Sequence, residues 1–226
     1  MMKQNFMFTS ESVTEGHPDK LCDQVSDAVV DRFLQQDPFS KVIAECAVST
    51  GILFIAARFA SSASIDIPEV ARRVIHQLGY EQADFNARDC TIMTSLTELP
   101  APSYPFIDER EMSEEELESV TAKNQANVFG FACNQSPAFM PLPISLSHKL
   151  ARRLTAARFQ KQIPYLAPDG KTQVGVEYRE GKPYRIHSIT IVATQQKTAM
   201  RGLAPLRDDL NAHVIEPVFA TETLRP

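Results

Sequence analysis

Gly16-His17-Pro18-Asp19-Lys20 sets an imidazole, a carboxylate and an ammonium group within five consecutive residues. An imidazole can donate to a phosphoryl oxygen, a carboxylate can hold a hard cation such as Mg2+, and a lysine adds fixed positive charge. The run stands between the polar stretch Thr9 to Glu15 and a helical stretch from Leu21 to Gln36. It therefore falls at a strand-to-helix junction with exposed N–H groups, where anions bind readily. The combination points to a polyphosphate ligand. A plainer reading stands beside it, because Pro18 in a first helical turn and Asp19 near the positive end of the helix dipole also suit an ordinary helix start.

With 226 residues, 43% of them hydrophobic and 23% charged, the chain can bury a core as one large or two small domains. A formal net charge of -5 argues against nonspecific binding to nucleic acid or to an anionic membrane, so a small ligand is expected. Cys22, Cys46, Cys90 and Cys133 are scattered without a Cys-x-x-Cys pair, and Met1 to Thr9 carries no apolar signal-peptide core. Reduced thiols and a cytoplasmic location are expected. Cys22 adjoins the motif, but as a small half-apolar residue on a helix it reads as a packing residue rather than a nucleophile. No apolar stretch approaches membrane-spanning length.

The elements that must position the motif follow from periodicity. Leu21, Val25, Val29, Phe33 and Leu34 recur at helical spacing until Asp37-Pro38. Lys41 to Ser49 and Ile52 to Ala60, divided at Thr50-Gly51, predict an antiparallel hairpin. Asp66 and Glu69 open a helix that runs to Leu78 and closes at Gly79, and Cys90 to Leu96 reads as a strand. The proline-bearing loop from Leu99 to Arg110 precedes an acidic helix with a Ser113–Glu116 capping box, which reads as a solvated face rather than a metal site. Beyond this boundary come a strand from Val128 to Cys133, a helix from Ile144 to Gln160, hairpin strands Thr172 to Arg179 and Tyr184 to Thr194, and a helix from Leu206 to Val218. The expectation is an α+β fold of two tandem strand-helix-strand-strand-helix units, residues 1–110 and 111–226, with helices on one face of each mainly antiparallel sheet.

The stretch from Phe8 to Ala28, FTSESVTEGHPDKLCDQVSDA, resembles the N-terminal signature of S-adenosylmethionine synthetase, also called methionine adenosyltransferase. Phe129-Gly130-Phe131-Ala132 and the run Pro164 to Val174 resemble the same family in the same order. Such enzymes have three units related by pseudo-threefold symmetry. This chain resembles the first two, and a shortened member without the third unit and its phosphate-binding lysines is expected. By resemblance, His17 contacts the triphosphate oxygen where the bond to ribose breaks, Asp19 is a magnesium ligand, and Lys20 is a charge near the phosphates. Asp169 and Lys171 match residues near the ATP nucleotide, and Glu45 matches a carboxylate associated with a potassium ion. Mg2+ and K+ are thus the implied cofactors.

Departures concentrate around the amino-acid substrate. Arg58 stands where the family places a glutamate suited to the ammonium group of L-methionine, Leu99 where it has a glutamine, and Lys123-Asn124-Gln125-Ala126 replaces Gly-Asp-Gln-Gly. A cation cannot pair with an amine. The resemblance therefore implies a transferase subunit that forms S-adenosylmethionine from ATP and L-methionine together with a complementary chain, in a hetero-oligomer or a homodimer joined through the sheet faces. A catalytically inactive regulatory subunit is the alternative.

Overall fold

The computed structural model describes residues 5–99, 110–120 and 125–224. Element order is β1 (Phe6–Val13), α1 (Pro18–Gln36), β2 (Lys41–Ser49), β3 (Ile52–Ala60), α2 (Ile67–Gln77), β4 (Glu81–Gln82), β5 (Phe85–Asn86) and β6 (Thr91–Glu98). There follow α3 (Glu114–Glu118), α4 (Leu142–Phe159), β7 (Leu166–Arg179), β8 (Lys182–Gln195), α5 (Leu203–Leu210), a π-helical turn (Asn211–Ile215) and α6 (Glu216–Phe219).

In α1 the stripe Leu21, Val25, Val29 and Phe33 is wholly buried against β2 and α2. Each such side chain contributes about 1.5–3 kcal/mol by leaving water. Asp37 ends the helix, and its carboxylate accepts from the Phe39 and Ser62 amides at 3.0 and 2.8 Å. These bonds hold the Asp37 carboxyl below the usual range. Asp66 caps α2 by accepting from the Glu69 amide, and Gly79 follows with φ +80°, a left-handed conformation that suits glycine.

The first core lies between α1, α2 and the sheet β2-β3-β6, in which β2 pairs antiparallel and β6 parallel with β3. The second lies beneath α4, the C-terminal helical segment and the sheet β1-β7-β8, which is antiparallel throughout. At the β7–β8 turn Glu180 and Gly181 both have positive φ, as a two-residue hairpin requires. The α+β class and the one-sided helices are as expected; four features differ.

First, β1 does not join the sheet of its own half. It adds to β7, with Phe6 opposite Tyr178 and Val13 opposite Lys171, and so crosses the expected division at residue 110. Long-range register leaves no local trace in β1, which is why two self-contained repeats looked sufficient. Second, Val128 to Cys133 is irregular rather than a strand, and Phe129 is 93% exposed. Alternating Val and Phe describe a surface that fits a sheet, but a strand also needs a neighbouring strand for its N–H and C=O groups; among the described residues no strand pairs with this segment, and the Cys133 amide donates instead to the Phe139 carbonyl at 2.9 Å.

Third, the helix expected from Leu206 to Val218 is interrupted by the π-helical turn. Pro217 has no N–H for the His213 carbonyl, which instead accepts from Arg153 Nε at 2.7 Å. Fourth, the short β4–β5 hairpin had no periodic signal, being two residues to a strand. No helix among the described residues is long and apolar enough to cross a membrane.

Candidate functional site

His17 is the N-cap of α1, with extended backbone, and its Nδ1 accepts from the Asp19 amide at 3.3 Å. With Nδ1 used as an acceptor, the neutral imidazole carries its proton on Nε2, which is left as a donor. Asp19 lies in the first helical turn with its side chain 92% exposed, and its Oδ2 is 3.9 Å from His17 Nδ1. Lys20 is exposed beside it. The helix start and the polar cluster are thus one structure: the cap orders the imidazole while the carboxylate and ammonium project into solvent.

The loop before the helix is fastened to β7. Thr14 N donates to Gly170 O at 2.9 Å, and Thr14 Oγ1 to Pro168 O at 2.8 Å. A Cβ at Gly16 would lie 2.3 Å from Pro168 Cβ, so the close approach requires glycine. The Tyr80 hydroxyl donates to the Gly16 carbonyl, and burial pushes that phenol well above its ordinary value.

This fastening brings His17 to the end of β7 that carries Asp169 and Lys171. Lys171 Nζ is 2.9 Å from Glu11 Oε2 across the open face of the sheet, and the bond holds the Glu11 carboxyl below its usual range. Asp169 Oδ2 accepts from Thr194 Oγ1 at 3.2 Å. A cleft of about 280 Å3 opens beside the start of α1, lined by Pro18, Ser49, Thr50, Tyr80, Asp84, Asp169 and Thr194 among others.

Glu45 is elsewhere. It is exposed on the open face of the other sheet, opposite Ala56, and Arg58 lies one pair along on that face, opposite Ile43. The same face exposes Ile43, Ile52, Phe54 and Met93. Asn124 lies outside the described residues, as does most of the loop between Leu99 and Arg110. Burial pushes the Cys22 thiol up to about 11, which fits a packing residue.

No group of three or more His, Cys, Asp and Glu side chains that could hold a metal occurs among the described residues. A dedicated cage is therefore not what the residues fit. Mg2+ commonly takes one or two carboxylates plus substrate phosphates and water, and the projecting Asp19 carboxylate fits that role.

Glu11, Tyr80 and Thr194 were not singled out from the sequence. Glu11 falls within the signature, and a strand reading of Thr9 to Val13 would have put it on one face with its neighbours two residues away. Only the register with β7 reveals that it meets Lys171.

Two linked α+β units, with a half-buried histidine and an exposed aspartate and lysine at a helix start fastened to β7, define the class of molecule. Residues 5–101 match the family model for the S-adenosylmethionine synthetase N-terminal domain, and residues 119–225 match that for its central domain. The chain belongs to the S-adenosylmethionine synthetase family. It is 43% identical over 240 residues to an S-adenosylmethionine synthase of Trichodesmium erythraeum, covering 100% of this chain and 57% of that protein. Against an S-adenosylmethionine synthase of Thermosynechococcus vestitus it is 43% identical over 235 residues, covering 98% and 56%. The chain thus spans little more than half the length of these relatives.

Proposed function

We propose that this chain is a subunit of a methionine adenosyltransferase, binding the polyphosphate of ATP through the His17–Lys20 segment and active together with a complementary chain. In the reaction the sulfur of L-methionine attacks the ribose 5′ carbon of ATP. The carbon–oxygen bond breaks, triphosphate leaves, and hydrolysis converts it to pyrophosphate and phosphate. The observation that carries the reading is the cap geometry: His17 Nδ1 is engaged by the Asp19 amide, which leaves Nε2–H to donate to the oxygen released from ribose. Lys20 and Lys171 add positive charge, and Asp169 and Lys171 lie towards the nucleotide. Asp19 would hold a Mg2+ ion, which when bound would neutralise charge on the triphosphate. Glu45, on the open face of the other sheet, is assigned to K+.

Two observations favour a complementary chain. Lys171, one of few cations near the cap, is already paired with Glu11. Arg58 stands exposed where the family has a carboxylate for the ammonium group, and reversing that charge in a desolvated pocket weakens amine binding about a thousandfold. A partner meeting the apolar open face beside Arg58 would bring methionine contacts and further cations. Arg58 also supports a second reading, an inactive subunit that modulates a complete synthetase.

Co-expression with the products of neighbouring genes, followed by co-purification and assay of S-adenosylmethionine from ATP and methionine, tests the proposal. A stable active complex is expected. A chain that stays alone, with every combination inactive, contradicts it. A complex whose activity is unaffected by His17→Ala selects the second reading.

A further inference from the structure

Glu15 sits two residues from His17 and looks at first like another ligand-facing carboxylate. Both of its oxygens are spent elsewhere. Oε1 takes Arg158 Nη2 at 2.7 Å and Oε2 takes the Thr155 hydroxyl, so the last turn of α4 holds the whole carboxylate. The ion pair is largely withdrawn from water, with side-chain exposures of 21% for Glu15 and 12% for Arg158. Its backbone carbonyl accepts from Gln24 Nε2 at 2.7 Å, which ties the same residue forward to α1.

Arg158 itself sits in a confined place. A Cβ at Gly79 would lie 2.8 Å from Arg158 Nη1, so the glycine that closes α2 also leaves room for the guanidinium. Positive charge near that helix C-terminus is favourable. Arg158 Nε is buried without a hydrogen-bond partner among the described residues, a cost that a packing-only side chain would not incur. The ends of α2 and α4 therefore converge, through one arginine, on the residue that leads into the cap.

We infer that Arg158 is a positioning residue: with Thr155 it clamps Glu15, and through Glu15 it fixes where His17, Asp19 and Lys20 stand for a polyphosphate. Asp19 and Lys20 are exposed and have little to hold them in place themselves. Glu15 is on this account a tether and not a metal ligand. The inference deepens the polyphosphate reading above and rests on it for its functional meaning, but the tether has a readout of its own.

The test uses the full chain as wild type, Arg158→Ala, Arg158→Lys and Thr155→Val. Amide hydrogen exchange is followed at residues 17, 19 and 20, and binding of inorganic tripolyphosphate with Mg2+ by calorimetry. Expected for Arg158→Ala are exchange at these three amides faster by about tenfold, unchanged protection in β7 and β8, and affinity weaker by about tenfold. Arg158→Lys, which offers one ammonium in place of the fork, restores part of both, and Thr155→Val gives an intermediate loss. Unchanged exchange at the three amides in a folded Arg158→Ala protein overturns the inference. If that variant does not fold, unchanged exchange in both Arg158→Lys and Thr155→Val overturns it. Wild type that binds no tripolyphosphate refutes the polyphosphate reading instead, and the exchange rates then decide the tether alone.

Discussion

Lys171 faces a competitor before any phosphate arrives. Its ammonium is 2.9 Å from Glu11, and the pair lies on an open sheet face within reach of water. A polyphosphate must draw Lys171 away from Glu11 or share it. Glu11→Gln is therefore expected to tighten tripolyphosphate binding severalfold at neutral pH, measured by calorimetry; unchanged or weaker binding would show that Lys171 does not engage the ligand. The same pair has a pH signature. The Glu11 carboxyl is held below its ordinary value near 4.5, chiefly by its hydrogen bond to Lys171. The folded state thus binds fewer protons than the unfolded one in that window, and the contribution is present above about pH 4.5 and lost as pH falls through the lowered value. Thermal melts of wild type and Glu11→Gln are expected to converge below pH 4.5 and to separate slightly above it, the pair being largely exposed.

At the scale of elements, the junction between β1, α1 and β7 decides whether the cap exists. Gly16 is pressed against Pro168 so closely that an added Cβ would sit 2.3 Å from the proline Cβ. Gly16→Ala must move backbone on one side or the other, at an expected cost of about 1–3 kcal/mol and a lower melting temperature. Melting at the wild-type temperature would mean that the contact yields freely. This junction also marks the limit of what periodicity reveals. The stripe Leu21, Val25, Val29, Phe33 and the Val- and Ile-rich runs of β2 and β3 are local patterns, and they delimit their elements closely. Glycine at 16 reads as part of a turn, while its actual constraint is a proline 152 positions away. The π-helical turn was legible in principle, because Pro217 removes the donor that a continuous helix would need. The irregular course of Val128 to Cys133 was not, since the lack of a pairing strand is a property of the whole topology. The site divides the same way: His17, Asp19 and Lys20 are adjacent in the chain and visible at once, whereas Glu11 with Lys171 depends on strand register.

On the scale of the whole molecule, the described helices cover one face of each three-stranded sheet, and the open face of β2-β3-β6 exposes Ile43, Ile52, Phe54 and Met93 around Glu45 and Arg58. Apolar side chains exposed on a half-covered sheet suit an interface with another subunit. A charge in that face should break assembly while leaving the fold. Phe54→Glu is expected to sediment as a monomer with an unchanged far-ultraviolet circular dichroism spectrum, whereas wild type associates. Persistent assembly of the variant would move the interface to another surface. Arg58 lies on this same face, opposite Ile43, whereas the cap is fastened to β7 of the other sheet, so on the proposed reading the two substrates are held by different sheets.

The most direct measurement is a structure of the chain, in whatever assembly it forms, with Mg2+ and a nonhydrolysable ATP analogue. The account predicts the triphosphate within hydrogen-bonding distance of His17 Nε2, with Asp19 among the ligands of the cation. A triphosphate bound away from the 16–20 segment in every assembly would contradict it.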